Sequence, residues 1–290
     1  MSTDLSAAER FIHANARLLE RHRLAVLLHG AAVTPVLDAL RAYRNQDGGF
    51  GHALEPDVRG PESEPASTLA ALEVLVEIGT LDDPMVAGAG DWIGKIADPG
   101  GGVPFVMPAA AAHPRAPWMV PSDGGSHLTF VLAARLWEAG TDDPWLHRAT
   151  DWCWARLERP ETLSGYWVKF SLDFLDHVPD GARAASAIDR LRRQLGPDDS
   201  VPVPGGVEGE RLTPLALSPR PGLRSRRLFG EGRIDAGLDA LEAGQRDDGG
   251  WDFDFLHWSE GQAVEWRGVV TLQALGSLAA HERIRLPRAA

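Results

Sequence analysis

A short motif, Asp-Gly-Gly followed by an aromatic residue, occurs near both ends of the chain and constrains its fold more than any other feature. The copies span residues 47–50 and 248–251. Each copy follows a Leu-Asp-Ala-Leu segment, and each precedes a Thr-Leu-x-Ala-Leu-x-x-Leu segment that starts at Thr68 or Thr271. Self-similarity of this length predicts a repeat architecture, in which successive units bury their apolar faces by stacking.

The segments between the glycine motifs have the apolar spacing of helices. Residues 5–28 and 33–43 are predicted to form the first two helices, and 67–78 the third, with Leu69, Leu72 and Leu75 on one face. An Asp-Pro pair recurs at 83–84 and 143–144, where Asp is a good N-cap and Pro a good first helical residue. Since no segment alternates like a strand, we predict an all-α fold.

The predicted helices are joined alternately by short turns and by long connections at 45–66, 98–126, 196–231 and 245–262. If helical hairpins stack side by side, all long connections lie at one end, and long loops on a rigid scaffold commonly carry function. Because the first and last repeats are the most alike, we predict that the array closes into a ring. Residues 1–290 are predicted to form one domain.

Composition excludes several classes of function. The formal net charge is −12, which argues against binding to nucleic acid or to anionic membrane surfaces. The single cysteine, Cys153, excludes an internal disulfide framework and is typical of a reducing compartment. No apolar run is long enough to span a membrane, and the N-terminus lacks the apolar core of a signal peptide, so a cytoplasmic location is expected. Nothing in the sequence indicates the oligomeric state.

The two glycine motifs, preceded by Gln46 and Gln245, resemble the glutamine–tryptophan repeats of squalene and terpene cyclases, and those of protein prenyltransferase β subunits. The resemblance implies an α/α toroid of about five to six helical hairpins, in which inner and outer rings of helices surround an apolar cavity. Such a fold does not by itself fix a function.

The chain departs from that family in its acidic motifs. Neither the Asp-x-Asp-Asp motif of proton-initiated cyclases nor the Asp-Asp-x-x-Asp motif of metal-dependent terpene synthases occurs; the nearest match is Asp-Phe-Asp-Phe at 252–255. Asp151 and Cys153 have the spacing of two prenyltransferase zinc ligands, but a lone cysteine is more often a small buried hydrophobe. We therefore expect no cofactor, except Mg²⁺ if the substrate is a diphosphate.

Carboxylates and histidines are concentrated on the first and last long connections. A carboxyl group held near another one, or in an apolar cavity, acquires a raised pKa and can protonate an alkene or epoxide. A histidine would be its hydrogen-bond partner, although a His–carboxylate cluster could instead bind a metal, and single residues could be solvated loop charges. The candidate catalytic residues are His52, Glu55, Asp57, Asp252, Asp254 and His257. The first connection also carries Arg59, Glu62 and Glu64.

Aromatic residues form a second candidate set, because ring faces stabilise cations by about 0.5–2 kcal/mol each. The candidates for substrate binding are Trp118, Trp167, Phe170, Phe174, Trp251, Trp258 and Trp266. Packing between helices is the alternative interpretation. A basic segment with Arg224, Arg226 and Arg227 could hold a diphosphate, because arginine binds phosphate bidentately, or it could be a solvated loop.

The function implied is that of a terpene cyclase-like enzyme, which acts on an apolar or isoprenoid small molecule by acid-initiated cyclisation or isomerisation. Two alternatives stay open: a non-catalytic toroid that binds a small molecule or peptide, and a carbohydrate lyase or hydrolase on the same fold. A cavity with apolar walls and a buried acid favours the terpene cyclase-like enzyme. An open polar groove with paired carboxylates favours the carbohydrate lyase or hydrolase.

Overall fold

The computed structural model describes residues 3–159 and 163–286. In that part of the chain the regular structure is helical, apart from an antiparallel pair of two-residue strands, β1 (Val201–Pro202) and β2 (Arg211–Leu212). The prediction of an all-α fold is confirmed. The helices are α1 (Leu5–Asn15), α2 (Leu18–His29), α3 (Thr34–Arg41), α4 (Pro65–Glu77), α5 (Pro84–Ile96), α6 (Leu128–Glu138), α7 (Pro144–Leu157), α8 (Tyr166–His177), α9 (Gly181–Leu191), α10 (Pro214–Leu217), α11 (Glu231–Ala243) and α12 (Glu260–Ala280).

The predicted first helix, 5–28, is wrong in one respect, because the structure divides it into α1 and α2. Ala16 and Arg17 have extended backbone angles between the two helices. The Arg17 guanidinium donates two hydrogen bonds to the carboxylate of Glu20, at 2.9 and 2.8 Å, and the Asn15 side chain donates to the carbonyl of Phe11. Neither Ala16 nor Arg17 is a residue that commonly ends helices, so the sequence gives no warning of the break.

Two compact units make up the chain. The middle unit comprises residues 43–195, and the terminal unit comprises the described residues of 1–42 and 196–290. Each is described by itself below. The closed ring and the single domain over 1–290 stay predictions.

The middle unit has two layers of helices. α6 packs against α4 on one side and α8 on the other, while α5 packs against α7 in the second layer. All side chains of α6 from Leu128 to Leu136 are buried, as expected for a helix surrounded by others. The long connections 45–64 and 98–127 end at the N-termini of α4 and α6.

The terminal unit brings the two ends of the chain together. α12 packs against both α1 and α2. The Asp4 N–H donates to the side-chain oxygen of Gln245 at 2.8 Å, and the Gln245 amide donates back to the Asp4 carbonyl at 2.9 Å. A Cβ added at Gly249 would lie 2.2 Å from the carbonyl oxygen of Ala7. The second glycine motif therefore lies directly on α1.

Each glycine motif forms the same kind of turn. The first glycine of the pair has positive φ, 100° at Gly48 and 95° at Gly249, which L-residues rarely adopt. The second glycines, Gly49 and Gly250, do not have positive φ, and crowding requires a glycine there instead. A Cβ at Gly250 would lie 2.7 Å from the ring of Phe11.

The residue after each glycine pair is anchored by a buried threonine. The N–H of Phe50 donates to the hydroxyl of Thr68 at 3.1 Å, and the N–H of Trp251 donates to Thr271 at 2.9 Å. The cluster at 100–102 follows the same pattern, with the N–H of Val103 bonded to Thr129 at 2.8 Å. These three threonines lie in α4, α6 and α12, so each turn is fixed to the helix that follows it.

Candidate functional site

The N-terminus of α6 in the middle unit carries the clearest candidate site. His127 precedes the first residue of α6 and adopts helical backbone angles. Its position is fixed by Ser126, whose N–H donates to the Val103 carbonyl at 2.7 Å and whose hydroxyl accepts from the N–H of Leu128 at 3.2 Å. The imidazole is thus held at the N-terminus of α6, whose side chains from Leu128 to Leu136 are all buried.

Four aromatic rings surround the His127 imidazole. The ring centroids lie 4.8 Å from it for Phe105, 5.5 Å for Phe170, 5.6 Å for Trp167 and 6.3 Å for Tyr166. The last three come from the first turns of α8, which packs against α6. All five side chains are half-buried, so each keeps accessible ring surface. We call these five residues the aromatic wall.

The imidazole of His127 is neutral at physiological pH. Burial lowers its pKa from 6.5 to about 4, because removal from water disfavours the charged form. Among the residues that the structure describes, none forms a hydrogen bond with this ring. The aromatic wall therefore contains a base whose nitrogens accept no hydrogen bond from the described residues.

Glu64, at the N-terminus of α4, is the second notable group of the middle unit. It is 2% exposed. Its Oε2 accepts a hydrogen bond from the N–H of Met107 at 2.9 Å, whereas Oε1 is enclosed with no partner in the described part of the chain. Burial raises its pKa from 4.5 to about 7, opposed by the Met107 N–H and assisted by the charge of Glu62. A large fraction of this carboxyl group is therefore protonated at neutral pH.

Glu64 and His127 contact the same short segment. Residues 103–107 are bonded to Ser126 and Thr129 at one end and to Glu64 at the other. Phe105, which contacts His127, lies only two residues from Met107. One stretch of backbone thus links the protonatable acid to the aromatic wall.

The predicted residues of the first long connection differ in burial. Asp57 is buried, Glu55 is half-buried, and His52 is exposed. The His52 Nε2 lies 3.0 Å from the side-chain oxygen of Asn45. Asp57 therefore has the dry surroundings that an acid catalyst requires, and His52 does not.

The predicted residues of the last long connection lie in the terminal unit, and all three are exposed: Asp252, Asp254 and His257. The His257 Nε2 lies 3.7 Å from Asp252 Oδ1, and the His257 ring stacks on Phe253 at 4.2 Å. Exposed carboxylates keep their water, so neither aspartate has the dry environment expected of a proton donor. Closure of the ring would place the first and last long connections side by side at one site, and this stays a prediction.

The predicted aromatic residues divide into two groups. Trp167 and Phe170 belong to the aromatic wall, and Trp118, Trp258 and Trp266 are also half-buried. By contrast, Phe174 is fully buried between Phe130 and Trp154, and Trp251 is buried with its indole N–H bonded to the Leu241 carbonyl at 2.7 Å. Phe174 and Trp251 therefore pack within their units, and their role in substrate binding stays a prediction.

The predicted diphosphate clamp is already engaged by protein. Arg226 donates a hydrogen bond to the Nε2 of His281 at 2.6 Å, and burial lowers the pKa of its guanidinium. Arg224 and Arg227, in the same short 3-10 segment, each have an interaction partner. That this segment holds a diphosphate stays a prediction.

The structure describes residues 3–159 and 163–286. There, no group of three or more His, Cys, Asp or Glu side chains is placed to hold a metal ion. No helix in the same ranges is long and apolar enough to cross a membrane. Cys153 is buried, which raises the pKa of its thiol well above the usual value.

Sequence reasoning did not single out His127 or Glu64. Both occupy the N-cap position of an α-helix that follows a long connection. The usable signal was that position, since the residue before each such helix lies at the long-connection end of the unit.

No protein-family model and no curated protein matches the chain. Solved structures do. A protein from Actinoplanes matches 95% of this chain and 100% of its own, with 18% identity and a TM-score of 0.57. Type II terpene cyclase MstE from Scytonema matches 97% of this chain in two complexes. In its complex with the substrate geranylgeranyl dihydroxybenzoate, the match covers 88% of the MstE chain, with 13% identity and a TM-score of 0.52. Its complex with the product merosterolic acid A has 87% covered, 14% identity and a TM-score of 0.53. The chain therefore has a terpene cyclase-like fold.

Proposed function

We propose that this protein is a terpene cyclase-like enzyme that binds an apolar isoprenoid molecule and converts it by acid-initiated cyclisation or isomerisation. The aromatic wall is the observation that carries the proposal. Core aromatic residues normally lose their surface to packing, but these five keep part of theirs. Ring faces attract cations by about 0.5–2 kcal/mol each, so the wall suits a substrate that becomes positively charged during reaction.

The reaction begins with transfer of a proton to a carbon–carbon double bond or an epoxide. Glu64 is the best-placed donor by burial, because its protonated form is populated at neutral pH and its Oε1 has no partner in the described residues. Since Oε1 is enclosed, contact with a substrate requires the segment 103–107 to shift. Asp57 and Glu55 are the alternative donors of the middle unit.

The reaction ends when the carbocation loses a proton. Attack by an internal double bond forms a ring, and a base then removes a proton to restore a double bond. The His127 imidazole fits this step because it is neutral and its nitrogens are unengaged by described residues. One proton enters and one leaves, so the product is an isomer of the substrate.

The test is incubation with polyprenyl compounds, among them geranylgeranyl dihydroxybenzoate, which is the substrate bound by MstE. We expect a product of unchanged mass and altered chromatographic retention. Glu64→Gln and Asp57→Asn are compared, and loss of the true donor should slow turnover by about 10²–10⁴-fold. Asp142→Asn, which removes an exposed carboxylate, is the matched control and should keep full activity.

The same assay separates the alternatives. A polyprenyl compound that binds but is recovered unchanged would favour a non-catalytic binding protein. Absence of both binding and turnover across the polyprenyl compounds would contradict the proposal.

A further inference from the structure

A groove of about 590 Å³ lies in the middle unit, and none of the five residues of the aromatic wall is among those that line it. It is formed by the last turn of α7, the end of α9 and the 3-10 turn Arg192–Gln194 that follows α9. Its volume lies within the range of small-molecule sites. The floor is apolar and includes the buried side chains of Leu163, Ala187 and Leu191.

The charged lining of this groove is almost entirely arginine. Arg156 and Arg159 come from the end of α7, and Arg190 and Arg193 from the end of α9 and the turn after it. In each pair the two arginines are three residues apart, and the second one lies just past the end of its α-helix. We call these four residues the arginine groove.

Within residues 3–159 and 163–286, Glu158 is the one acidic residue that lines the arginine groove. Glu158 lies 2.6 Å from the guanidinium of Arg183, which is outside the groove lining. Arg159, Arg190 and Arg193 have no ion-pair partner among residues 3–159 and 163–286. Four arginines thus line one groove in a chain whose net charge is −12.

Like charges at this spacing repel each other, and a bound polyanion would remove that repulsion. The guanidinium group presents donors in a planar fork that matches phosphate oxygens bidentately. We infer that the arginine groove binds a phosphate-type polyanion, and that a diphosphate group is the form that engages both arginine pairs.

The groove adjoins the aromatic wall through a shared contact. The Arg156 guanidinium lies 4.9 Å from the centroid of the Trp167 ring, and Trp167 contacts His127 on the wall. This part of the inference rests on the proposed function: the diphosphate is the head group of an isoprenoid substrate whose chain lies against the wall. The other source of the same chemistry is a free inorganic or nucleotide phosphate.

A competing explanation is that the arginines only complement the C-terminal ends of α7 and α9. Cations at these ends interact favourably with the helix dipole. That role stabilises the fold without any ligand, so binding and stability must be measured separately.

The experiment is calorimetric titration of the full chain with inorganic diphosphate at low ionic strength, with sulfate as the ionic control. We expect diphosphate to bind and sulfate to bind much more weakly. The double variant Arg190→Gln/Arg193→Gln should lose roughly a hundredfold in affinity, since each charged hydrogen-bonding partner contributes about tenfold. Arg10→Gln/Arg246→Gln removes the same charge from exposed sites elsewhere and should bind as wild type does.

Absence of diphosphate binding by the wild-type protein, or equal affinity in both double variants, would overturn the inference. A lower melting temperature of Arg190→Gln/Arg193→Gln together with no binding by wild type would assign the arginines to the helix ends alone. Geranylgeranyl diphosphate is then compared with diphosphate. Tighter binding of the prenylated compound assigns the groove to the substrate head group, and equal binding assigns it to a free anion. No turnover is measured, so failure here is distinct from failure of the proposed function.

Discussion

Replacing Gly249 with alanine is expected to lower the free energy of unfolding by about 3 kcal/mol. Its φ is 95°, and an L-residue at positive φ costs roughly 1–2 kcal/mol. The added Cβ would lie 2.2 Å from the Ala7 carbonyl oxygen. Because that oxygen belongs to the backbone of α1, it cannot rotate away, and overpacking adds about 1–3 kcal/mol. The melting temperature should fall by roughly 5–10 °C for a chain of this size.

Two glycines serve as controls in the same thermal melts. Gly222 has φ of 81° but no neighbour within 4 Å of an added Cβ, so Gly222→Ala isolates the dihedral cost of about 1–2 kcal/mol. Gly276 lies within α12 with open space around it, so Gly276→Ala should stabilise the protein by about 1 kcal/mol. Equal melting of the Gly249 and Gly222 variants would refute the tight contact between the glycine motif and α1.

Three further changes have defined outcomes. Thr271→Val should cost about 1–3 kcal/mol in urea melts, since the buried N–H of Trp251 loses its acceptor; an effect below about 0.5 kcal/mol would contradict this. Glu64 is protonated in the folded and unfolded states below pH 4.5, and only the unfolded state ionises between pH 4.5 and its folded pKa of about 7. As the pH rises through that window, the free energy of unfolding of the wild type should therefore fall by roughly 3 kcal/mol relative to that of Glu64→Gln. Parallel dependence of the two unfolding free energies on pH would refute this. The His127 ring should titrate in NMR spectra near its pKa of about 4, whereas a midpoint near 6.5 would show that the ring is solvated.

The helices could be predicted from the sequence wherever local signals determine their ends. The Asp-Pro pairs predicted the starts of two helices, and in the structure Asp83 accepts from the N–H of Met85 at 2.9 Å and Asp143 from that of Trp145 at 2.7 Å. The break between α1 and α2 was missed because it depends on side chains such as Arg17 that do not break helices by themselves.

The candidate site was less accessible to sequence reasoning, because its properties arise from distant contacts. Glu64 is one of several acids on the first long connection. Its raised pKa comes from burial against a segment around Met107, which is 43 residues away in sequence. His127 likewise acquires its surroundings from Phe105 and from α8. Aromatic spacing in α8 predicted Trp167, Phe170 and Phe174 together. Phe174 is fully buried while the other two are half-buried, a difference that helical periodicity alone does not show.

The central claim is that an isoprenoid chain lies against the aromatic wall, and photoaffinity labelling tests it most directly. A geranylgeranyl compound with a benzophenone group is irradiated with the full chain, and the modified residues are located by peptide mass spectrometry. We predict adducts in peptides that contain Phe105, His127 or residues 166–170, and their loss when excess unlabelled geranylgeranyl dihydroxybenzoate competes. Competed adducts confined to other segments, such as residues 252–258, or no competed adduct at all, would contradict the claim.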